Sequence, residues 1–228
     1  MRSFPIWFPL LLASLWAFSA FAESTVENRL LEHAPALERL QPLFRRAHLP
    51  RIPTRGVLVF YKDTRRLDLY AGKNGAMKFV KTYPVLAASG TLGPKLREGD
   101  LQVPEGIYRI TLLNPNSRFH LSLRLNYPNE FDIAKGRSDR RENLGGDIMI
   151  HGNEVSIGCI AIGDPGIEEI FTFAAKSELS QWKVILAPYD FRKGGARRIA
   201  SGLPRWVSSL YADIESELRA LPKQNQLR

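Results

Sequence analysis

The sequence predicts a mainly β, predominantly antiparallel domain flanked by helices, and three observations predict it. Short apolar or alternating runs recur at strand spacing from Val57 onward, an Asn74-Gly75 hairpin pair separates two of them, and helical periodicity is concentrated before residue 49 and after residue 163. With 228 residues, 44% of them hydrophobic, the chain suffices for one domain with a sizeable core and terminal additions.

Taken in order, residues 1–22 read as a signal peptide. Arg2 supplies the charge, Phe4 to Phe18 the apolar stretch, and Ala20-Phe21-Ala22 the small-residue cleavage pattern. The expectation is a mature chain beginning near Glu23, exported to the periplasm or cell envelope. No cysteine follows the apolar run, which excludes lipoprotein acylation.

Residues 23–54 form an N-terminal helical segment and linker. Ser24 and Glu27 have capping-box spacing, Val26, Leu30 and Leu31 mark one helical face, and Pro35 interrupts. Leu37, Leu40, Leu43 and Phe44 then mark a second helix, and Leu49 to Pro53 is extended because each proline disfavours helix in the residue before it.

Residues 55–190 form the main domain. Strands are expected at Val57–Tyr61, Arg66–Tyr70, Lys78–Leu86, Ile107–Leu113, Phe119–Leu125, Ile148–Ile150 and Val184–Ala187. A long polar connection, 126–146, carries Lys135, Arg137, Arg140 and Arg141 and reads either as a lid or binding loop or as a solvated one. Asp164 and Pro165 suit the N-cap and first position of a helix whose Ile167, Ile170, Phe171 and Ala174 face the sheet. Residues 191–228 make a C-terminal extension, broken at Gly194-Gly195, with a helix from Trp206 to Leu221.

The chemistry concentrates in Asp147 to Cys159, which holds the chain's single cysteine. A free thiol has a pKa near 8.5, so catalysis at neutral pH needs an imidazole that takes its proton or stabilises the thiolate, and His151 is placed to do so. Gly152 and Asn153 turn the backbone after the histidine. Ser156 and Gly158 flank the cysteine in a Ser-x-Gly-Cys element, where Gly158 permits a sharp turn and nearby amides can face an oxyanion. An unpaired cysteine in an exported protein is a reactive group or an intermolecular link.

These elements resemble the YkuD-type L,D-transpeptidase family, in its YafK-like branch. The resemblance rests on His151-Gly152, Ser156-Ile-Gly158-Cys159, the upstream Arg97 to Tyr108 stretch with Pro104-Glu105-Gly106, Ser117 to Leu123, and Asn126-Tyr127-Pro128-Asn129. It covers roughly residues 55–188. Ile157 and Ala161 stand where the family pattern has a second histidine and an arginine, and the interval from His151 to Cys159 is short for the family. The resemblance implies a β-sandwich-like catalytic domain with Cys159 as nucleophile and His151 as general base and acid. Gly152, Ser156 and Gly158 would support the backbone, and His120 and Tyr127 would line the substrate cleft. It also implies peptidoglycan stem peptides as substrate, with thioester transfer giving a crosslink or an attached outer-membrane lipoprotein. The alternatives are a hydrolase that trims stems or detaches such a lipoprotein, and a silent peptidoglycan-binding domain.

Charge and the remaining histidines complete the reading. Without Arg2 the chain has 31 basic against 23 acidic residues, a net of +8, which suits anionic envelope surfaces. No nucleic-acid module is visible. No histidine, cysteine or acidic cluster has zinc-ligand spacing, so neither a metal nor a cofactor is expected. His33 and His48 read as surface positions.

Overall fold

The computed structural model describes residues 23–73, 75–193 and 201–223. The expected signal peptide, the Gly194-Gly195 break and Asn74 lie outside the described residues. None of the described helices is long and apolar enough to cross a membrane.

Two five-stranded sheets pack face to face. The first has the order β3-β2-β1-β10-β5, built from β1 (Arg55–Tyr61), β2 (Arg66–Lys73), β3 (Ala76–Pro84), β5 (Gly106–Tyr108) and β10 (Lys183–Ala187). The second has the order β4-β9-β8-β7-β6, from β4 (Ala87–Ala88), β6 (Ile110–Ser117), β7 (His120–Leu125), β8 (Met149–His151) and β9 (Ile160–Ala161). Most pairings are antiparallel, as the alternating runs predict, but β1 with β10 and β8 with β9 are parallel. β4 and β9 are two residues each, too short for periodicity to reveal them.

The sequence of β1 explains its central place. Leu58 and Phe60 point into the core between the sheets, where Leu121, Leu123, Ile150 and Ile160 meet them. Val57, Val59 and Tyr61 point to the opposite face and pack on α5 (Val207–Arg219) through Leu210, Tyr211 and Ile214. A strand buried on both faces reads as continuously apolar rather than alternating.

The helices cover the edges of this core. α1 (Val26–Glu32) and α2 (Ala34–Arg46) break at His33, and α2 buries Leu37, Leu40 and Phe44. Thr25, not Ser24, is the N-cap of α1, its hydroxyl accepting from the Asn28 amide at 3.2 Å. α4 (Asp164–Ala175) starts one residue earlier than expected, with Gly163 at the N-cap position. Arg39 of α2 reaches Glu168 and Glu169 of α4 at 3.2 and 2.9 Å, tying the N-terminal segment to the domain.

The 126–146 connection contains a helix that the sequence reading did not place, α3 (Glu130–Ser138). A reciprocal box starts it: Asn129 accepts from the Asp132 amide while the Asp132 carboxylate accepts from the Asn129 amide. The connection is anchored at several points. Arg141 donates to the Leu96 carbonyl at 2.6 Å, and Trp206 donates to Asp139 at 2.9 Å.

Candidate active site

β8 and β9 bring the two central residues together. Their parallel register pairs Ile150 with Ile160 and His151 with Ala161. Ile150 and Ile160 face the core, so His151 and Cys159, one position away in opposite directions, lie on the other face of the sheet. β7 runs along the far side of β8 and sets Ser122 opposite His151 and Arg124 opposite Met149. Ser122, Arg124, Met149, His151 and Cys159 therefore share one face.

His151 is almost completely buried. Its Nδ1 lies 2.6 Å from the Gly152 carbonyl oxygen. A carbonyl only accepts, so Nδ1 carries the proton and Nε2 is left as the basic nitrogen. Phe119 stacks on the imidazole with centroids 4.7 Å apart and planes 30° apart. Burial holds the His151 pKa below the ordinary imidazole value, against the opposing pull of the Gly152 carbonyl. The ring is therefore neutral at pH 7.

Tight packing forces the turn after His151. A Cβ on Gly152 would stand 2.5 Å from Asp164 Oδ1 and 2.8 Å from the Phe119 carbonyl. Asp164 does not cap α4; its Oδ1 instead accepts from the Asn153 amide at 2.7 Å. Asn153 itself has φ 58°, a conformation that asparagine tolerates better than most residues.

Cys159 is half-buried, and its thiol donates to the Asp147 carbonyl at 3.6 Å. Burial raises its pKa above that of an ordinary thiol; the Met149 amide lowers it, Asp147 raises it and Lys95 lowers it, with burial prevailing. Gly158 has φ 97°, where glycine is strongly favoured. Ser156 Oγ donates to the Cys159 carbonyl at 2.6 Å and closes the turn.

The Gly158 amide is not an open oxyanion donor. It donates to Ser89 Oγ at 2.6 Å, so Ser89, beside β4, braces the turn that leads into Cys159. The Arg97–Tyr108 stretch also comes to this turn. The Gln102 carbonyl is 3.6 Å from a Cβ placed on Gly158. Asp100 holds this segment in shape by accepting from Lys95 and from the amides of Leu96, Arg97 and Gln102.

The other predicted site residues have different surroundings. Tyr127 is buried, and its hydroxyl donates to the Leu144 carbonyl at 2.9 Å, so it anchors the 126–146 connection rather than lining a cleft. The His120 imidazole sits 3.1 Å from Glu168 and packs edge-on to His33 at 5.0 Å. His33 is 9% exposed, not the surface residue expected. Ser89, Phe119, Ser122 and Lys95 were not predicted. Phe119 and Ser122 had a signal, their place within the 117–123 segment that carries the family resemblance.

Comparison with known proteins decides the family. Residues 55–186 match the YkuD family model, described as an L,D-transpeptidase catalytic domain. The chain belongs to this family. "Putative L,D-transpeptidase YafK" of Escherichia coli K12 is 38% identical over 135 residues, covering 58% of this chain and 52% of that protein, and its O157:H7 counterpart matches equally. The chain thus spans about half the length of these curated relatives. Among solved structures, the helical cell shape determining protein Pgp2 from Campylobacter jejuni is similar with a TM-score of 0.48 and 24% identity, over 59% of this chain and 48% of that one. Bd1075 from Bdellovibrio bacteriovorus has a TM-score of 0.43 and 19% identity, over 74% and 55% of the two chains.

Proposed function

We propose that this YkuD-family protein is a cysteine acyltransferase acting on peptidoglycan stem peptides in the cell envelope. The observation that carries the reading is the placement of His151 and Cys159 at ends of the adjoining strands β8 and β9, with the imidazole fixed in the tautomer that leaves Nε2 basic. At rest both groups are neutral. His151 Nε2 removes the thiol proton as sulfur attacks the scissile carbonyl, and returns it to the departing amine as the C–N bond breaks. A thioester on Cys159 remains. An amine acceptor gives a new peptide bond, a crosslink or an attached lipoprotein, whereas water gives the free acid. The latter outcome would trim stems or detach a lipoprotein.

Two groups of cations suit a substrate rich in carboxylates. Ala161 is fully buried and offers no donor where the family pattern has arginine. Arg124 supplies a guanidinium from β7 instead, 2.7 Å from the Asp147 carboxylate, and both side chains are exposed. Arg137, Arg140 and Arg141 line a cavity of about 690 Å³ along the 126–146 connection.

Mass spectrometry of muropeptides after incubation with purified sacculi, with and without attached lipoprotein, tests the reading. Cys159-dependent crosslinks or exchange of terminal D-amino acids are the expected products. Loss of crosslinks or release of lipoprotein without exchange would replace transfer by hydrolysis. Identical products from the Cys159→Ala protein would refute the nucleophile assignment, and binding to sacculi without any product would leave a binding domain.

A further inference from the structure

Beside the catalytic face, three residues from three separate elements bring metal-ligating atoms together. His33 joins α1 to α2, His120 opens β7, and Glu168 lies on α4. One ligating atom from each falls within 4.8 Å of the other two. Glu168 Oε1 is 3.1 Å from His120 Nε2 and 3.5 Å from His33 Nδ1. Ligands about 2.0–2.1 Å from a tetrahedral zinc ion stand about 3.3–3.4 Å from one another, so these two separations are near those of a loaded site.

We propose that His33, His120 and Glu168 form a binding site for a zinc-class divalent cation. Its donor set, two imidazoles and a carboxylate, is one that zinc takes with a fourth position left to water. Arg39 engages the other oxygen of Glu168, Oε2, at 3.2 Å and leaves Oε1 turned to both imidazoles. His120 and Glu168 retain side-chain exposures of 26% and 21%, an entry route for the ion and its water.

A plain hydrogen-bond network explains the cluster poorly. His33 Nε2 is buried and has no hydrogen-bond partner among the described residues, and an unmet buried polar atom costs about 1–3 kcal/mol. Glu32 Oε1 stands 3.8 Å from it. With Nδ1 bound to a cation, Nε2 must carry the proton, and a small movement of Glu32 completes the carboxylate–histidine–metal arrangement that orients many ligand histidines. Sequence spacing did not reveal the site because its ligands are 87 and 48 residues apart.

The ion would fasten the N-terminal helices to the β6–β7 turn. Phe119, which covers His151, immediately precedes ligand His120, so occupancy would steady the cover of the base. That role is structural and leaves the acyl-transfer chemistry to Cys159 and His151.

Metal titration of the untagged full-length chain carrying Cys159→Ala tests the site without thiolate interference or dependence on activity. Zinc is followed by calorimetry and cobalt(II) by visible absorption. The expected result is one saturable equivalent of each, cobalt bands of a tetrahedral nitrogen and oxygen site, and a raised Tm. His120→Asn and Glu168→Gln, each checked for folding by circular dichroism, should each weaken binding by about tenfold or more. No saturable binding, or an affinity unchanged in either folded variant, would overturn the three-ligand site.

Discussion

Replacing Phe119 with alanine tests how the structure sets the basicity of His151. The two rings stack with centroids 4.7 Å apart, an interaction worth about 0.5–1.5 kcal/mol beyond burial. Burial is also what lowers the His151 pKa, so opening the ring to water should raise it toward the ordinary value of about 6.5. The sign follows. In the wild type, protonation of buried His151 costs stability that is present above pH 6.5 and is lost as pH falls through the lower folded pKa. The variant, with a pKa nearer 6.5, loses less of it. Urea unfolding should therefore show Phe119→Ala less stable by about 1 kcal/mol at pH 8, with the gap narrowing at pH 5. NMR titration should place the His151 imidazole at a higher pKa, and the acid limb of activity should move to higher pH. An unchanged or lowered His151 pKa in a folded Phe119→Ala protein would refute the assignment of Phe119 as its cover.

Three further outcomes are expected. Alkylation of Cys159 by iodoacetamide should remain slow at pH 6–7 and rise only at alkaline pH, because burial raises the thiol pKa and lowers that of His151; a thiolate-like plateau near pH 6 would show a resting ion pair instead. Gly152→Ala should cost about 1–3 kcal/mol and depress turnover, since its Cβ would meet Asp164 and the Phe119 carbonyl; unaltered unfolding and kinetics would contradict that crowding. Glu105→Gln should cost about 3–5 kcal/mol in urea unfolding by stranding buried Lys62, whose Nζ lies 3.2 Å from Glu105. Removing both charges with Lys62→Met should recover part of the loss, and equal losses in the single and double variants would argue against the stranded charge.

What was legible in the sequence follows from how local each determinant is. Cys159, His151 and Gly158 sit within nine residues, and their residue types alone carry the chemistry. Long strands such as β1 and β2 declare themselves by composition, and α4 by its apolar face. The partners that tune the site come from afar. Ser89 meets Gly158 across 69 residues, and Phe119 reaches His151 only because the β6–β7 turn folds over β8. No periodicity encodes such meetings. His33 misled for the same reason: its neighbours in sequence place it at a helix break, while its burial comes from His120 and Glu168. α3 was a different failure, for Asn129 and Asp132 have visible capping spacing, but the charged residues after them carry no apolar stripe.

The same distances explain why both groups of the proposed mechanism rest neutral. A preformed thiolate needs strong positive charge close to sulfur, and this site provides little. Ala161 adds none, Lys95 is already held by Asp100 and the Arg97 carbonyl, and Arg124 is paired with Asp147. Burial thus prevails at both reacting groups, pushing the thiol up and the imidazole down. Under the proposed mechanism a proton would move between them only as a substrate carbonyl takes the sulfur's electrons. A stem-peptide carboxylate that drew Arg124 away from Asp147 would leave that anion unneutralised beside the thiol, whose pKa it already holds up, so breaking this pair would not by itself make a thiolate.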